Sequence, residues 1–317
     1  MAYIVVSLIL IVIVIYVLLN SSYKNTNYYK NQFIDSYKFK NINNVRFDIV
    51  NLGSNQPKFG FDYNLKSKIN GMNWALGSQS FEYDYKILKE FHEHLNDAAH
   101  VLIPICPFSF FFSKYQSDEL NYKYYPILHS NLINNYSPIT KFLYINHPII
   151  SAKRNLYKLI KDVAADSRLE LSSNPMTTVE IERDAQNWIN DWKVQFTLNN
   201  LNQIELSEEN LNSINKNIAI LNKIISFCVE RNYKPVLVVL PLTRELNQHL
   251  PETFVKKFIF EPIDKANVIK VPVLNYMKHS YFQSSELYIN SFFLNKNGRQ
   301  EFTSLVVNDI SQLVKND

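Results

Sequence analysis

One short polar turn in the chain contains a hydroxyl that could act as a nucleophile. Gly53, Ser54, Asn55 and Gln56 directly follow the apolar segment RFDIVNL at residues 46–52. A serine attacks a carbonyl efficiently only when an imidazole takes its proton and a carboxylate orients that imidazole. Ser54 could therefore take part in acyl hydrolysis or acyl transfer only with a histidine and an acid nearby.

The best-placed histidine in the sequence is His279, which lies eleven residues before the polar segment that starts at Asn290. Ser54 and His279 together form the fallback catalytic pair. The other histidines fall on a predicted helix surface, at the amino end of a predicted strand, in a predicted insertion or outside the expected site. They are His92, His94, His100, His129, His147 and His249.

Runs of β-branched and aliphatic residues alternate with helical patterns along the chain, which predicts an α/β fold. Continuous apolar runs of this kind suit strands that are buried on both faces of a parallel sheet with helices on each side. The predicted strands cover residues 46–52, 72–76, 101–106, 235–240 and 268–274. The predicted helices cover residues 80–95, 177–194, 208–231 and 298–314.

Two of these helices carry clear local signals. Helix 80–95 has apolar side chains at three- and four-residue spacing, namely Phe81, Tyr85, Leu88, Phe91 and Leu95. Helix 208–231 follows Ser207, a good N-cap residue, and begins with two glutamates that favour the positive end of the helix dipole.

Ligands of open α/β sheets bind beyond the carboxyl ends of the strands, so the residues after each strand are the candidate binding residues. They are Gly53, Ser54, Asn55, Gly77, Ser78, Asn290 and Asn295. Trp188 and Trp192 have helical spacing, which favours packing, although a sugar-stacking surface remains an alternative.

The N-terminal segment predicts a membrane anchor. Residues 2–19 contain no charged side chain and show no polar face, and a helix of that length spans about 27 Å. The predicted organisation is an anchor at 1–20, a stalk at 21–45, and a domain at 46–317 with an insertion at 113–205. Lysines after the span would place the domain in the cytoplasm if the positive-inside rule acted alone.

Composition excludes several classes of protein. The 317 residues are 46% hydrophobic with a net charge of +4, and the basic residues form no run, so no nucleic-acid partner is predicted. The five glycines are scattered and no His or Cys pair has zinc-binding geometry, so no cofactor or metal is predicted. Cys106 and Cys228 lie in apolar surroundings and do not identify the compartment.

Five blocks of sequence together resemble a known family. They are NLGSNQPKFGFDY at 51–63, NWALGSQSFEYDYKIL at 73–88, VLIPICPFSFF at 101–111, PVLVVLPLT at 235–243 and FFLNKNGRQEFT at 292–303. Their order and spacing resemble membrane-anchored SGNH-type (GDSL-like) proteins of cell-envelope polysaccharide modification, similar in layout to DltD and AlgJ/AlgX-type acyl-transfer proteins. The resemblance covers most of residues 45–315 and implies a three-layer, flavodoxin-like SGNH domain.

The resemblance also implies where a catalytic triad would stand. The family's nucleophile falls on Asn55 in the first turn, and its Asp-x-x-His motif falls on residues 290–293. The acid position is therefore Asn290 and the base position is Phe293. An amide cannot serve as the nucleophile and a phenyl ring carries no titratable proton, so no catalytic residue is intact.

These substitutions lead to the expectation of a catalytically inactive, single-pass membrane protein whose domain is extracytoplasmic. Its implied role is in surface-polysaccharide modification or export. Its expected partners are the membrane, a surface glycan, or a membrane-bound O-acyltransferase. The alternatives are an active esterase or O-acyltransferase that uses Ser54 in a non-standard site, and an interaction scaffold without a ligand pocket.

Overall fold

The computed structural model describes residues 2–26, 29, 36, 38–39, 42–64, 69–112, 118–151, 176–202 and 205–316. Parts of the predicted stalk at 21–45 and of the predicted insertion at 113–205 lie outside these residues. The chain divides into two compact units. Unit 1 comprises Met1–Asn43 and Gln116–Ser172, and unit 2 comprises Asn44–Tyr115 and Ser173–Asp317.

The strands are β1 (Phe47–Asn51), β2 (Gly71–Asn73), β3 (Leu95–Ile105), β4 (Lys234–Val239) and β5 (Val273–Asn275). The helices are α1 (Ala2–Asn25), α2 (Asn55–Lys58), α3 (Phe81–Phe91), α4 (Asp118–Asn121), α5 (Pro138–Asn146), α6 (Pro148–Ser151), α7 (Thr178–Gln195), α8 (Glu208–Glu230), α9 (Arg244–Gln248), α10 (Glu252–Val255), α11 (Glu261–Ala266) and α12 (Lys296–Asn316). A π-helical segment, Lys256–Phe260, joins α10 to α11.

In the described part of unit 2 the strands form a five-stranded parallel sheet in the order β2-β1-β3-β4-β5. The prediction of an α/β fold with a parallel sheet is confirmed. This order is that of flavodoxin-like doubly wound sheets, in which the chain reverses its direction of travel between β1 and β3. In sheets of this kind, ligands bind in the crevice outside the carboxyl ends of the two strands at that reversal.

The two faces of β4 pack against different helices. Val236 and Val238 belong to a core cluster that includes Phe302, Val306 and Ile310 of α12. Side chains alternate along a strand, so Leu237 and Val239 point to the opposite face. On that side α8 packs against both β4 and α3. The Ser207 cap is confirmed, because its side chain accepts a hydrogen bond from Asn210 N.

The predicted apolar stripe of α3 is wrong at two positions, because Leu95 begins β3 and Tyr85 is not a core residue. Tyr85 is only half-buried, whereas Tyr83, Asp84 and Ile87 are buried. Asp84 lies three residues after Phe81 and four before Leu88, so it falls on the face that packs against the rest of the unit. A carboxylate thus occupies a core position of this helix.

Two predicted strand boundaries also differ from the structure. β3 starts at Leu95 rather than at residue 101, and its pairing with β1 shifts register between Phe47 and Ile49. Ala98 there has a φ of 56°, which marks the irregularity. β5 starts at Val273, because Val268 and Ile269 lie in an exposed turn.

Unit 1 contains the N-terminal apolar helix. Its helix α1 is long and apolar enough to cross a membrane, and almost all of its apolar side chains are exposed. The less exposed side chains of α1 begin at Tyr16, near the end of the predicted apolar segment 2–19, and continue beyond that segment. Tyr16, Asn20 and Tyr23 lie on one side of the helix at four- and three-residue spacing and are less exposed than their neighbours.

Candidate functional site

The turn after β1 begins with a glycine that no other residue could replace without strain. Gly53 has a φ of 115°, and a Cβ on it would stand 2.4 Å from Pro57 Cγ. Non-glycine residues rarely adopt such a φ. The turn then leads directly into α2, which starts at Asn55. It lies at the carboxyl end of β1, beside the crevice between β1 and β3.

A buried carboxyl group holds this turn in place. Asp84 Oδ1 accepts hydrogen bonds from Gly53 N at 2.7 Å and from Gln79 Nε2 at 2.6 Å. Burial raises the pKa of Asp84 from 3.8 to about 7, although both hydrogen bonds oppose the rise. Asp84 was not predicted as a site residue; the available signal was its position on the apolar stripe of α3.

Cys106 directly follows β3, the strand that neighbours β1 in the sheet. Its backbone N donates a hydrogen bond to Ser109 Oγ at 2.8 Å. Burial raises the pKa of the Cys106 thiol to about 12, and the nearby Asp84 carboxylate adds to the rise. A raised pKa keeps the thiol protonated near neutral pH, which disfavours Cys106 as a nucleophile.

A pair of amides connects α2 to the first two strands. Asn51 Nδ2 donates to Asn73 Oδ1 at 2.9 Å. Asn73 Nδ2 in turn donates to the carbonyl oxygens of Pro57, Lys58 and Phe61. These bonds satisfy carbonyls at the end of a four-residue helix, and they fix the position of Ser54 and Asn55 relative to the sheet.

Two further hydrogen bonds bring the distant turns together. Gln56 Nε2 donates to Pro241 O, at the end of β4, at 3.1 Å. Thr243 Oγ1 donates to Ser291 O at 2.9 Å. The turn after β1, the turn after β4 and the segment at 290–295 therefore meet at the carboxyl edge of the sheet.

The acid and base positions implied by the resemblance have structural contacts. Asn290 Oδ1 accepts hydrogen bonds from Phe292 N at 2.9 Å and Phe293 N at 2.7 Å. Phe293 is 9% exposed. Its ring packs against Phe59 and Trp188, with centroids 5.1 and 5.5 Å apart.

Helix α7 covers this segment. Asp184 Oδ2 accepts hydrogen bonds from Ser291 N at 2.9 Å and Ser291 Oγ at 2.6 Å. Trp188 and Trp192 both pack against Phe292, and Trp192 also packs against Phe108. The interpretation of these tryptophans as packing residues is confirmed.

The remaining predicted residues of the first two turns are partly accessible. Ser54, Asn55, Gly77 and Ser78 are each half-buried. Within the described part of the chain, the side chains of Ser54 and Asn55 form no hydrogen bond. Ser78 has a φ of 50°. The first turn thus exposes a free hydroxyl without a base beside it.

The fallback pair is not formed. His279 follows β5, three strands away from β1, a separation of about 14 Å at the usual strand spacing. Its ring contacts Tyr276 and Phe282 of its own turn, and its Nδ1 is buried without a hydrogen-bond partner among the described residues.

Asn295 is the N-cap of α12 rather than a free ligand group. Its Oδ1 accepts from Gly298 N at 2.9 Å, and its Nδ2 donates to Glu286 O at 2.7 Å. Such a cap satisfies a backbone donor that has no partner within the helix. Both polar ends of the side chain are therefore engaged in holding the chain.

Three other histidines have contacts away from this edge of the sheet. His92 was predicted on an exposed helix face, but it lies half-buried in a 3₁₀ turn after α3, with its ring against Phe227. His249 Nε2 lies 2.7 Å from Glu182 Oε1 of α7. His147 belongs to unit 1, where it binds Tyr16.

Over the residues that the structure describes, no three His, Cys, Asp or Glu side chains are grouped so that they could hold a metal ion. The arrangement at the carboxyl edge is a free serine hydroxyl, several structural amides and a packed set of aromatic rings. No known family model and no curated protein matches this chain.

Proposed function

We propose that the chain is a membrane-anchored SGNH-like protein that has lost catalysis. In this proposal its domain lies outside the cytoplasm and acts in the modification or export of a cell-envelope polysaccharide. It does so by binding a membrane-bound acyltransferase or the glycan itself. The proposal rests on the sequence resemblance, on the flavodoxin-like strand order and on the apolar helix α1.

The observation that carries the proposal is the environment of Phe293. In the proposed alignment this residue stands where a triad histidine would be, and it is packed between Phe59 and Trp188 with 9% of its surface exposed. A phenyl ring cannot accept the proton of a hydroxyl.

The known cost of removing triad residues favours a complete loss of catalysis over a merely reduced activity. Loss of the nucleophile or of the base of a serine triad lowers turnover by about 10⁶, nearly as much as loss of all three members. Ser54 is the one hydroxyl left in the first turn, and neither His279 nor a described carboxylate is hydrogen-bonded to it. An unassisted serine is a weak nucleophile at neutral pH.

A protein partner is favoured over a sugar in the aromatic part of the edge. Trp188 packs against Trp192, Phe292 and Phe293 in tilted or edge-on contacts, with ring centroids 5.4, 5.1 and 5.5 Å away, so three other rings already engage its ring. A sugar-stacking platform needs an open ring face. The half-buried groups Ser54, Asn55 and Ser78 remain as the polar surface to which a partner or a glycan would bind.

The test is labelling of the full-length protein with a fluorophosphonate probe, together with turnover of p-nitrophenyl acetate. We expect no labelled Ser54, and the same ester turnover in the wild type, in Ser54→Ala and in the matched control Ser78→Ala. Labelling that disappears in Ser54→Ala but persists in Ser78→Ala would instead support the active esterase.

Ligand choice is tested separately by the melting temperature of the detergent-solubilised chain with envelope saccharide fragments. A ligand that binds only the folded state at 100 times its Kd stabilises it by about 2.7 kcal/mol. A rise without turnover supports glycan binding. Co-isolation of a polytopic acyltransferase, with no such rise, supports the protein partner.

A further inference from the structure

Unit 1 carries an exposed apolar surface outside α1. Ile139 and Phe142 lie three residues apart on α5 and are 74% and 55% exposed, and Ile150 on α6 is 41% exposed. These three residues are called the 139–150 patch. α5 is a well-formed short helix, since Ser137 caps it through Thr140 N and a proline occupies its first turn. The patch is therefore a fixed surface and not a frayed end.

The elements that bear the patch are hydrogen-bonded to α1. Tyr16 Oη and His147 Nδ1 are 2.7 Å apart, and their rings are stacked with centroids 5.8 Å apart. Asn20 Nδ2 donates to Asn146 O at 2.9 Å, and Asn20 Oδ1 accepts from Ile149 N at 3.4 Å. Each of these contacts lies within unit 1.

The point of attachment fixes the depth of the patch. Tyr16 lies three residues before Leu19, where the apolar run ends, so it sits about 4.5 Å inside that run. At this depth a spanning helix passes from acyl chains to lipid headgroups, a region in which tyrosines are enriched. Short helices with one apolar face lie in the same region of a bilayer.

We infer that α5 and α6 lie in the membrane interface and insert the 139–150 patch among the lipids around α1. The inference rests on the proposed membrane insertion of α1. Lipid is the occupant because the patch is joined to a helix whose own apolar side chains are 45–66% exposed from Ile4 to Leu19 apart from Tyr16 and Ser7. The result is a chain held to the bilayer at two places.

Spin labels test the inference on the full chain in proteoliposomes. Phe142→Cys and Ile139→Cys are each labelled with a nitroxide, and its collisions with oxygen and with a water-soluble nickel chelate are measured. Leu10→Cys reports lipid, and Val268→Cys, on an apolar residue that is 68% exposed in unit 2, reports water. Both native thiols have pKa values raised by burial, to about 12, so the unsubstituted chain controls for slow background labelling.

We expect labels at 142 and 139 to collide more with oxygen than with nickel, as at Leu10 and unlike at Val268. Water-like behaviour at both patch positions, with lipid-like behaviour at Leu10, would overturn the inference and leave the anchor intact. A water-exposed label at Leu10 would overturn the anchor itself. A patch label shielded from both reagents would identify a second protein, and not lipid, as the occupant.

Discussion

Asp84 holds the turn after β1 in place and has a pKa near neutral pH. Its Oδ1 accepts hydrogen bonds from Gly53 N and Gln79 Nε2, and the residue is 2% exposed. The carboxyl group thus fixes the turn that carries Ser54. Because burial disfavours the charged form, the folded chain binds its proton more tightly than the unfolded chain does.

The raised pKa of Asp84 makes the stability of the folded chain fall as the pH rises. The pKa of Asp84 is about 7 in the folded state against 3.8 ordinarily. Its contribution to stability is complete below pH 4 and is lost as the pH rises through 7, because the unfolded carboxyl ionises first. The variant Asp84→Asn keeps an acceptor for Gly53 N and has no proton to lose.

We therefore expect Asp84→Asn to gain about 2 to 3 kcal/mol of stability relative to wild type between pH 5 and pH 8. Urea denaturation at both pH values measures the gain. Asp191→Asn, on an exposed residue of α7, is the matched control and should show the same difference from wild type at both pH values. A constant difference for Asp84→Asn would contradict the raised pKa.

The residues of the candidate site were partly predictable from the sequence. The strand-to-turn pattern identified the carboxyl-end positions Gly53, Ser54, Asn290 and Asn295, and the first turn does meet the segment at 290–293. What the pattern could not reveal was that Asn290 and Asn295 cap backbone N–H groups. Asparagine is equally suited to capping a turn and to binding a ligand, and only its neighbours decide between the two.

At the scale of elements, α7 is the main addition to the sheet edge. It is held to the segment at 290–293 by Asp184, and to α9 by the contact between Glu182 and His249. The sequence predicted a helix at residues 177–194, and the structure places it at Thr178–Gln195 with a capping box of Thr177 and Glu180 at its start. Its packing partner was not predictable, because the partner lies a hundred residues away in the chain.

The substitution Asp184→Ala tests how firmly α7 holds this edge. Ser291 is fully buried, so loss of the carboxylate leaves its N–H and hydroxyl without their acceptor. An unsatisfied buried polar group costs about 1 to 3 kcal/mol. We expect a loss of this size in urea denaturation, and faster hydrogen exchange at residues 291–293.

Arg183→Ala is the control for that loss, because Arg183 is an exposed neighbour on the same helix. It should change stability by less than about 0.5 kcal/mol. Equal effects from the two variants would mean that Asp184 acts only through helix propensity. In that case α7 would be held by its tryptophans alone.

The predicted boundaries of elements were wrong where the local sequence and the tertiary pairing favour different structures. The first half of β3 reads LNDAAH, which lacks the apolar run typical of a buried strand, yet it pairs with β1 and β4. Sheet pairing overrides propensity there. For α1, the side that contacts α6 was not predicted, because Tyr16 is isolated in an apolar run and Asn20 lies just after that run.

For the whole molecule, the strand order explains why distant segments form one edge. β1, β3 and β4 are adjacent, although β4 begins more than a hundred residues after β3 ends. Parallel pairing places all their carboxyl ends on the same side. The alternation of strands and helices predicted this edge. The packing of aromatic side chains against it was not predictable, because those residues come from distant parts of the chain and follow no periodic pattern.

If the chain descends from an SGNH hydrolase, the carboxyl edge of the sheet should still have the geometry of a catalytic triad. The triple variant Asn55→Ser, Asn290→Asp, Phe293→His, made in a Ser54→Ala background, should react with a fluorophosphonate at position 55. Triad residues act as one unit, so each single and double variant should stay unlabelled. The matched control omits only Asn55→Ser, and circular dichroism and melting check that both variants fold. A folded triple variant that labels no better than this control would show that the three positions do not form a triad, and the proposed descent from an SGNH hydrolase would fail.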